Sequence, residues 1–218
     1  MAVLVALSLP YLTWRTTRNA SWTGGATALV VGWMIVTGGL TRWSGFRSFE
    51  LPPPFLITVV TGSIIVAFLV FGPFGKKVVT GASLAGLVMF QGFRFPLELL
   101  MHRAFNEGLM PVQMSYEGRN LDILTGISGL ILGSILYWRP LPKALIWLWN
   151  LAGLGLLINI VGIAILSTPV PFRQFLNDPP NVWVLNVPFV WLPMVMVLAA
   201  LFGHLAVARK LSCGEATP

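Results

Sequence analysis

ALIWLWNLAGLGLLINIVGIAILS, residues 144–167, contains no charged side chain and no alternation of polar and apolar positions. At ~1.5 Å per residue, a helix of this length reaches about 36 Å, slightly more than the ~30 Å hydrocarbon core of a bilayer. Within lipid every backbone N–H and C=O needs an internal partner, which leaves only helices or a closed barrel. A barrel would show segments of about ten residues with alternating polarity. The stretch therefore reads as a membrane-crossing helix.

Working outward, comparable apolar segments occupy residues 1–17, 22–41, 55–73, 78–101, 121–138 and 188–208. Of the 218 residues, 56% are hydrophobic and 10% charged, with mean hydropathy +0.81; a soluble domain carries about 25% charged residues. The expectation is an all-α, polytopic transmembrane helix bundle forming a single domain over residues 1–218. Seven helices cross, or six if residues 1–17 do not. That first segment is short and holds Pro10. It lacks the basic n-region and small-residue cleavage site of a signal peptide, so a short tilted helix is expected.

The net charge is +7. In a lipid setting such an excess orients the chain, and nucleic acid is not an expected partner; the lipid bilayer is. With seven spans and the N-terminus outside, the inner segments hold Arg15, Arg18, Lys76, Lys77, Arg139, Lys143, Arg209 and Lys210. The outer half holds Glu50, Glu98, Glu107, Glu117, Asp122 and Asp178, six of the seven acids. Lysines on one side and acids on the other predict a cytoplasmic C-terminus. Tryptophans near the helix ends, including Trp22, Trp147, Trp149 and Trp191, read as interfacial anchors, and Trp33 in mid-helix as packing.

The chemistry concentrates on residues 78–101 and just beyond. Gln91, Arg94, Glu98 and His102 are spaced three, four and four apart, which places them on one helix face. Counted from Val78 at the inner boundary, Arg94 lies about 24 Å up the helix. Arg94 and Glu98 at i,i+4 are expected to pair, either fixing helix register or forming a ligand, ion or proton site. Pro96 cannot donate to the carbonyl of Gly92, so a kink is expected there. Glu107, Glu117 and Arg119 in the following outer loop add charges above the stripe. Asn120 caps the next helix, and Asp122 sits at the positive end of its dipole. The candidate ligand-binding cluster is thus Gln91, Arg94, Glu98, His102, Glu107, Glu117, Arg119 and Asp122. The Pro- and aromatic-rich stretch 168–187 is either a lid over this cluster or a plain connector.

No metal site is expected, because Glu98 and His102 lack a third ligand. No cofactor is expected either: His102 and His204 fall toward opposite faces, no lysine sits in mid-helix, and no phosphate-cradling loop is present. Cys213, the sole cysteine, excludes an intrachain disulfide. Gly126, Gly129 and Gly133 form a small-residue face for packing within the chain or between copies of a homo-oligomer.

Phe93-Arg94-x-Pro96-x-Glu98, Glu107-Gly108-x-x-Pro111 and Glu117-Gly118-Arg119-Asn120-x-Asp122 recur with Pro171, Gln174, Asn181 and His204 in a recognisable pattern. It resembles a family of bacterial integral membrane proteins of roughly this chain's length, over most of the sequence. The resemblance implies a bacterial cytoplasmic membrane and no particular chemistry. Three functions are compatible with these readings. The first is binding or moving a small solute, ion or lipid through an outward-facing polar pocket. The second is an embedded enzyme using Glu98, His102 and Glu107. The third is an assembly partner without a small-molecule site.

Overall fold

The computed structural model describes residues 1–213, which are helical with no strand among them. Helix α1 (Ala2–Thr17) turns sharply into α2 (Ala20–Leu40). Arg18 takes up the left-handed conformation at the end of α1, and Asn19 caps α2 by accepting hydrogen bonds from the backbone of Ser21 and Trp22. Helix α3 (Pro54–Phe71) opens with proline, whose missing N–H is not needed in a first turn.

The expected helix 78–101 starts elsewhere. Val78 belongs to a separate short helix, α4 (Pro73–Gly81). The chain then becomes extended at Ala82, and Ser83 caps a new start by accepting from the backbone N–H of Gly86. From there α5 (Leu84–Phe90), a 3₁₀ turn (Gln91–Phe93) and α6 (Arg94–Asn106) make one continuous rod. The tightening at Gln91–Phe93 is where the helix accommodates Pro96, one turn upstream of the proline. Helices α7 (Asp122–Trp138) and α8 (Lys143–Leu166) follow. A widened π-helical turn, Leu192–Val197, leads into α9 (Leu198–Ser212).

Five rods are long and apolar enough to cross a membrane: Ala20–Leu40, Pro54–Phe71, Leu84–Asn106, Lys143–Leu166 and Leu192–Ser212. Helix α7 is apolar but shorter, at 17 residues, and α1 has 16. The α9 rod sits innermost, against α3, α5 and α8, whereas α2 is the most peripheral.

The glycine face of α7 is used within the chain. A Cβ on Gly126 would stand 2.4 Å from the Phe95 backbone nitrogen, and one on Gly133 would stand 2.7 Å from that of Met89. Backbone-to-backbone approach against α5 and α6 therefore consumes this face. On the far side, the Trp33 indole N–H donates to the carbonyl of Met194 at 2.6 Å, and Trp191 donates to Met34 at 3.3 Å. Trp33 thus supplies a donor to a carbonyl of the π turn. Trp149, expected as an interfacial anchor, is instead buried and donates to Ser128 Oγ.

The charges segregate by end. Lys77 lies over the Trp22 ring, Arg209 donates to the carbonyl of Val70, and Lys210 donates to that of Thr80, so the basic residues of α4 and of the α9 C-terminus gather near the start of α2 and the end of α3. The connecting loops around residues 42–53, 107–121 and 168–191 close the opposite end. The middle loop is not a surface loop: Met110, Gln113, Met114, Ser115 and Asn120 in it are buried.

Candidate functional site

Halfway along the Leu84–Asn106 rod, Arg94 is 1% exposed. This is deeper than the position counted from Val78, because the helix begins six residues later. Its expected partner, Glu98, is not the one it takes. Arg94 Nε donates to Asp122 Oδ2 at 2.9 Å, and Nη2 pairs with Asp122 Oδ1. This two-pronged geometry is the strongest form of guanidinium–carboxylate contact. Asp122 reaches it because the buried 107–121 loop starts α7 at that depth.

The other guanidinium nitrogen, Nη1, lies 2.9 Å from His204 Nε2 and 3.4 Å from the carbonyl oxygen of Gly153. A guanidinium only donates, so His204 Nε2 accepts and the imidazole proton sits on Nδ1. Nδ1 donates to Asn150 Oδ1 at 2.9 Å, and Asn150 Nδ2 donates back to the His204 carbonyl at 3.2 Å. Gly153 leaves the room this requires, since a Cβ there would meet His204 Cε1 at 2.5 Å. Four elements, α6, α7, α8 and α9, are tied together through one cation. His204 had been placed near the inner end of the last helix; the helix extends to Ser212, which puts His204 in its interior.

Glu98, also 1% exposed, accepts from Asn120 Nδ2 at 2.6 Å through Oε2. Asn120 also donates to the Met114 carbonyl and accepts from the Asp122 backbone N–H through Oδ1. The N-cap position of α7 falls to Leu121, which has no capping side chain, so Asn120 stands one residue outside the expected cap; it accepts from the first helical N–H and holds the Glu98 carboxylate. Gln91 is fully buried and donates to the Ala200 carbonyl at 2.9 Å, which makes it an interhelical tie.

Arg94, Glu98 and Asp122 line a cleft of about 110 Å³ whose remaining wall is apolar, including Leu97, Met101, Leu157, Ile160 and Val197. Phe49 and Pro53, and Thr168, Asn181 and Trp183 from the 168–187 stretch, complete the lining. The 168–187 stretch is a folded cover. Asn181 donates to the Ala164 carbonyl, Asn177 donates to Gln113 Oε1, and Gln113 donates to Ser167 Oγ.

The remaining predicted residues lie apart from this cleft. His102 stacks on Tyr116 with ring centroids 4.4 Å apart, and its Nε2 is 3.5 Å from Glu117 Oε1. Glu107 accepts from Arg103 Nε at the exposed surface, and Arg119 lies over the Phe175 ring. Neither His102 nor Glu107 lines the cleft that Glu98 lines. The predicted single cluster is therefore two: a deep one around Arg94 and a rim around His102.

Asn120, Asn150, Gly153 and His204 belong to the deep cluster and lie outside the Gln91–His102 stripe. Asn150 and His204 did carry a signal: a polar side chain within an apolar helix is costly unless it has a partner. Compared with known proteins, the chain matches no family model, no curated protein and no solved structure.

Proposed function

We propose that this chain is a seven-span membrane protein that binds a small amphiphilic molecule in the outer cleft. In this reading α1, α2, α3, the α5–α6 rod, α7, α8 and the α9 rod cross the bilayer. The end carrying Arg15, Lys77 and Lys210 faces the cytoplasm, as the positive-inside rule favours, and the N-terminus lies outside. The resemblance of residues 93–126 to bacterial membrane proteins supports a bacterial cytoplasmic membrane.

One observation carries the assignment. Glu98 lines the cleft but spends only Oε2 on Asn120, with no partner for Oε1 among the described residues. Arg94, by contrast, is engaged by Asp122, His204 and Gly153 and serves as a fixed strut. The ionisable group free to meet a ligand is thus a carboxyl in a largely apolar cleft, whose lining also offers the unpartnered Asn181 Oδ1 and Trp183 Nε1. That combination suits an apolar body with a hydrogen-bond-donating or cationic head, rather than a bare ion. A volume of about 110 Å³ admits a head group or chain end; a water occupies ~30 Å³ of liquid.

Photo-crosslinking tests this with a diazirine-bearing dodecylamine added to the purified full-length protein. Labelling is expected on α6 and the Leu192–Val197 turn, and to be lost in Ala164→Phe, which fills the cleft. Glu98→Gln is expected to weaken it about tenfold or more, as for loss of a charged hydrogen bond. Labelling spread evenly over the lipid-facing helices, or unchanged in both variants, overturns the assignment.

A further inference from the structure

A second cleft, of about 370 Å³, separates the α1–α2 hairpin from α3, α5 and the α9 rod. Its volume falls within the ~300–1,000 Å³ range of ligand pockets. Leu12, Val66, Leu69, Phe90 and Phe202 make its wall apolar, and Arg15 lines it at the end where α1 stops. Arg15 is exposed and has no ion-pair or hydrogen-bond partner among the described residues. Lys77, Arg209 and Lys210 gather at the same end.

We propose that this cleft holds an acyl chain of an anionic phospholipid from the inner leaflet, with its phosphate at Arg15. The pieces fit one occupant. The apolar lining and a volume of about 370 Å³ suit a hydrocarbon chain. Arg15, exposed and without an ion-pair or hydrogen-bond partner among the described residues, supplies the charge for the head group, with Lys77 and Arg209 at the same end. The peripheral position of α2 allows entry sideways from the bilayer. Basic pockets between helices on the cytoplasmic side are a recurrent form of anionic-lipid recognition. The hairpin would then pack on the bundle partly through lipid, which accounts for why α2 buries so little of itself against protein.

The test is native mass spectrometry of the full-length protein, exchanged into an equal mixture of phosphatidylglycerol and phosphatidylcholine with matched chains. The wild type is expected to retain phosphatidylglycerol preferentially. Arg15→Gln, at an exposed position that the fold does not need, is expected to cut that preference about fivefold, the order expected for one basic group at an anionic surface. Val30→Trp, on the peripheral α2 and lining the slot, is expected to abolish tight retention of both lipids. Equal retention by the wild type, an unchanged preference in Arg15→Gln, or undiminished adducts in Val30→Trp overturns the proposal. Neither variant touches the outer cleft, so dodecylamine crosslinking there is expected to persist whichever way the lipid experiment falls.

Discussion

Arg94 is the residue on which the deep site depends. Removing one member of a buried ion pair costs about 3–5 kcal/mol, because the survivor is left uncompensated. Arg94→Met is therefore expected to lower the midpoint of an SDS-unfolding titration by that order. Adding Asp122→Leu is expected to restore at least half of the loss. A double variant as unstable as the single one would show that the two side chains are not coupled. The spacing rule selected Glu98 as the partner because it sees only one helix. Asp122 wins because α7 runs antiparallel to α6 and begins at the same depth, delivering a carboxylate in two-pronged geometry that i,i+4 neighbours do not reach. All three deep acidic and basic residues were legible as polar intrusions in apolar sequence, whereas their pairing was not, since it depends on the fold of the loop between them.

At the scale of elements, α7 illustrates what small residues do. Gly126 meets the Phe95 backbone rather than a flexible side chain, so nothing yields easily to an added side chain. Gly126→Leu is expected to destabilise the protein by about 1–3 kcal/mol or more, the range for overpacking. Gly155→Leu on α8, where a Cβ meets nothing within 4 Å, is expected to be near neutral. Thermal midpoints in detergent compare the two, and similar values for both would remove the close-packing account. The i,i+4 glycine spacing announced this face from sequence alone. The break at Ala82–Ser83 was harder to see, because an apolar run continues across it and only the serine cap marks the restart. The π turn at Leu192–Val197 gave no pattern at all, since one widened turn leaves apolar periodicity intact and needs its outside donor, Trp33, to be recognised.

For the whole molecule, the proposed orientation follows from which end gathers the basic residues. It places Cys213 in the cytoplasm and the exposed Leu109 outside. A membrane-impermeant maleimide applied to intact bacterial cells is expected to leave Cys213 unmodified until the cells are permeabilised. In a Cys213→Ser background, Leu109→Cys is expected to react without permeabilisation. The reverse pattern inverts the topology and, with it, the side from which the cleft with Glu98 is reached. The helical, apolar class was readable from the sequence because long uncharged runs recur along the chain, and five of them form helices long enough to cross a membrane. The depth of the site was not, because it hangs on where one helix starts. The same buried strut also bears on biogenesis. Arg94 and Asp122 are 28 residues apart, while His204 lies 110 residues beyond Arg94. Chains are made from the N-terminus, so the charged pair, contained in a single hairpin, is expected to meet before His204 arrives. On the proposed membrane reading the hairpin is expected to insert with its charges already paired, and the last helix to dock onto it as a keystone whose histidine completes the arrangement.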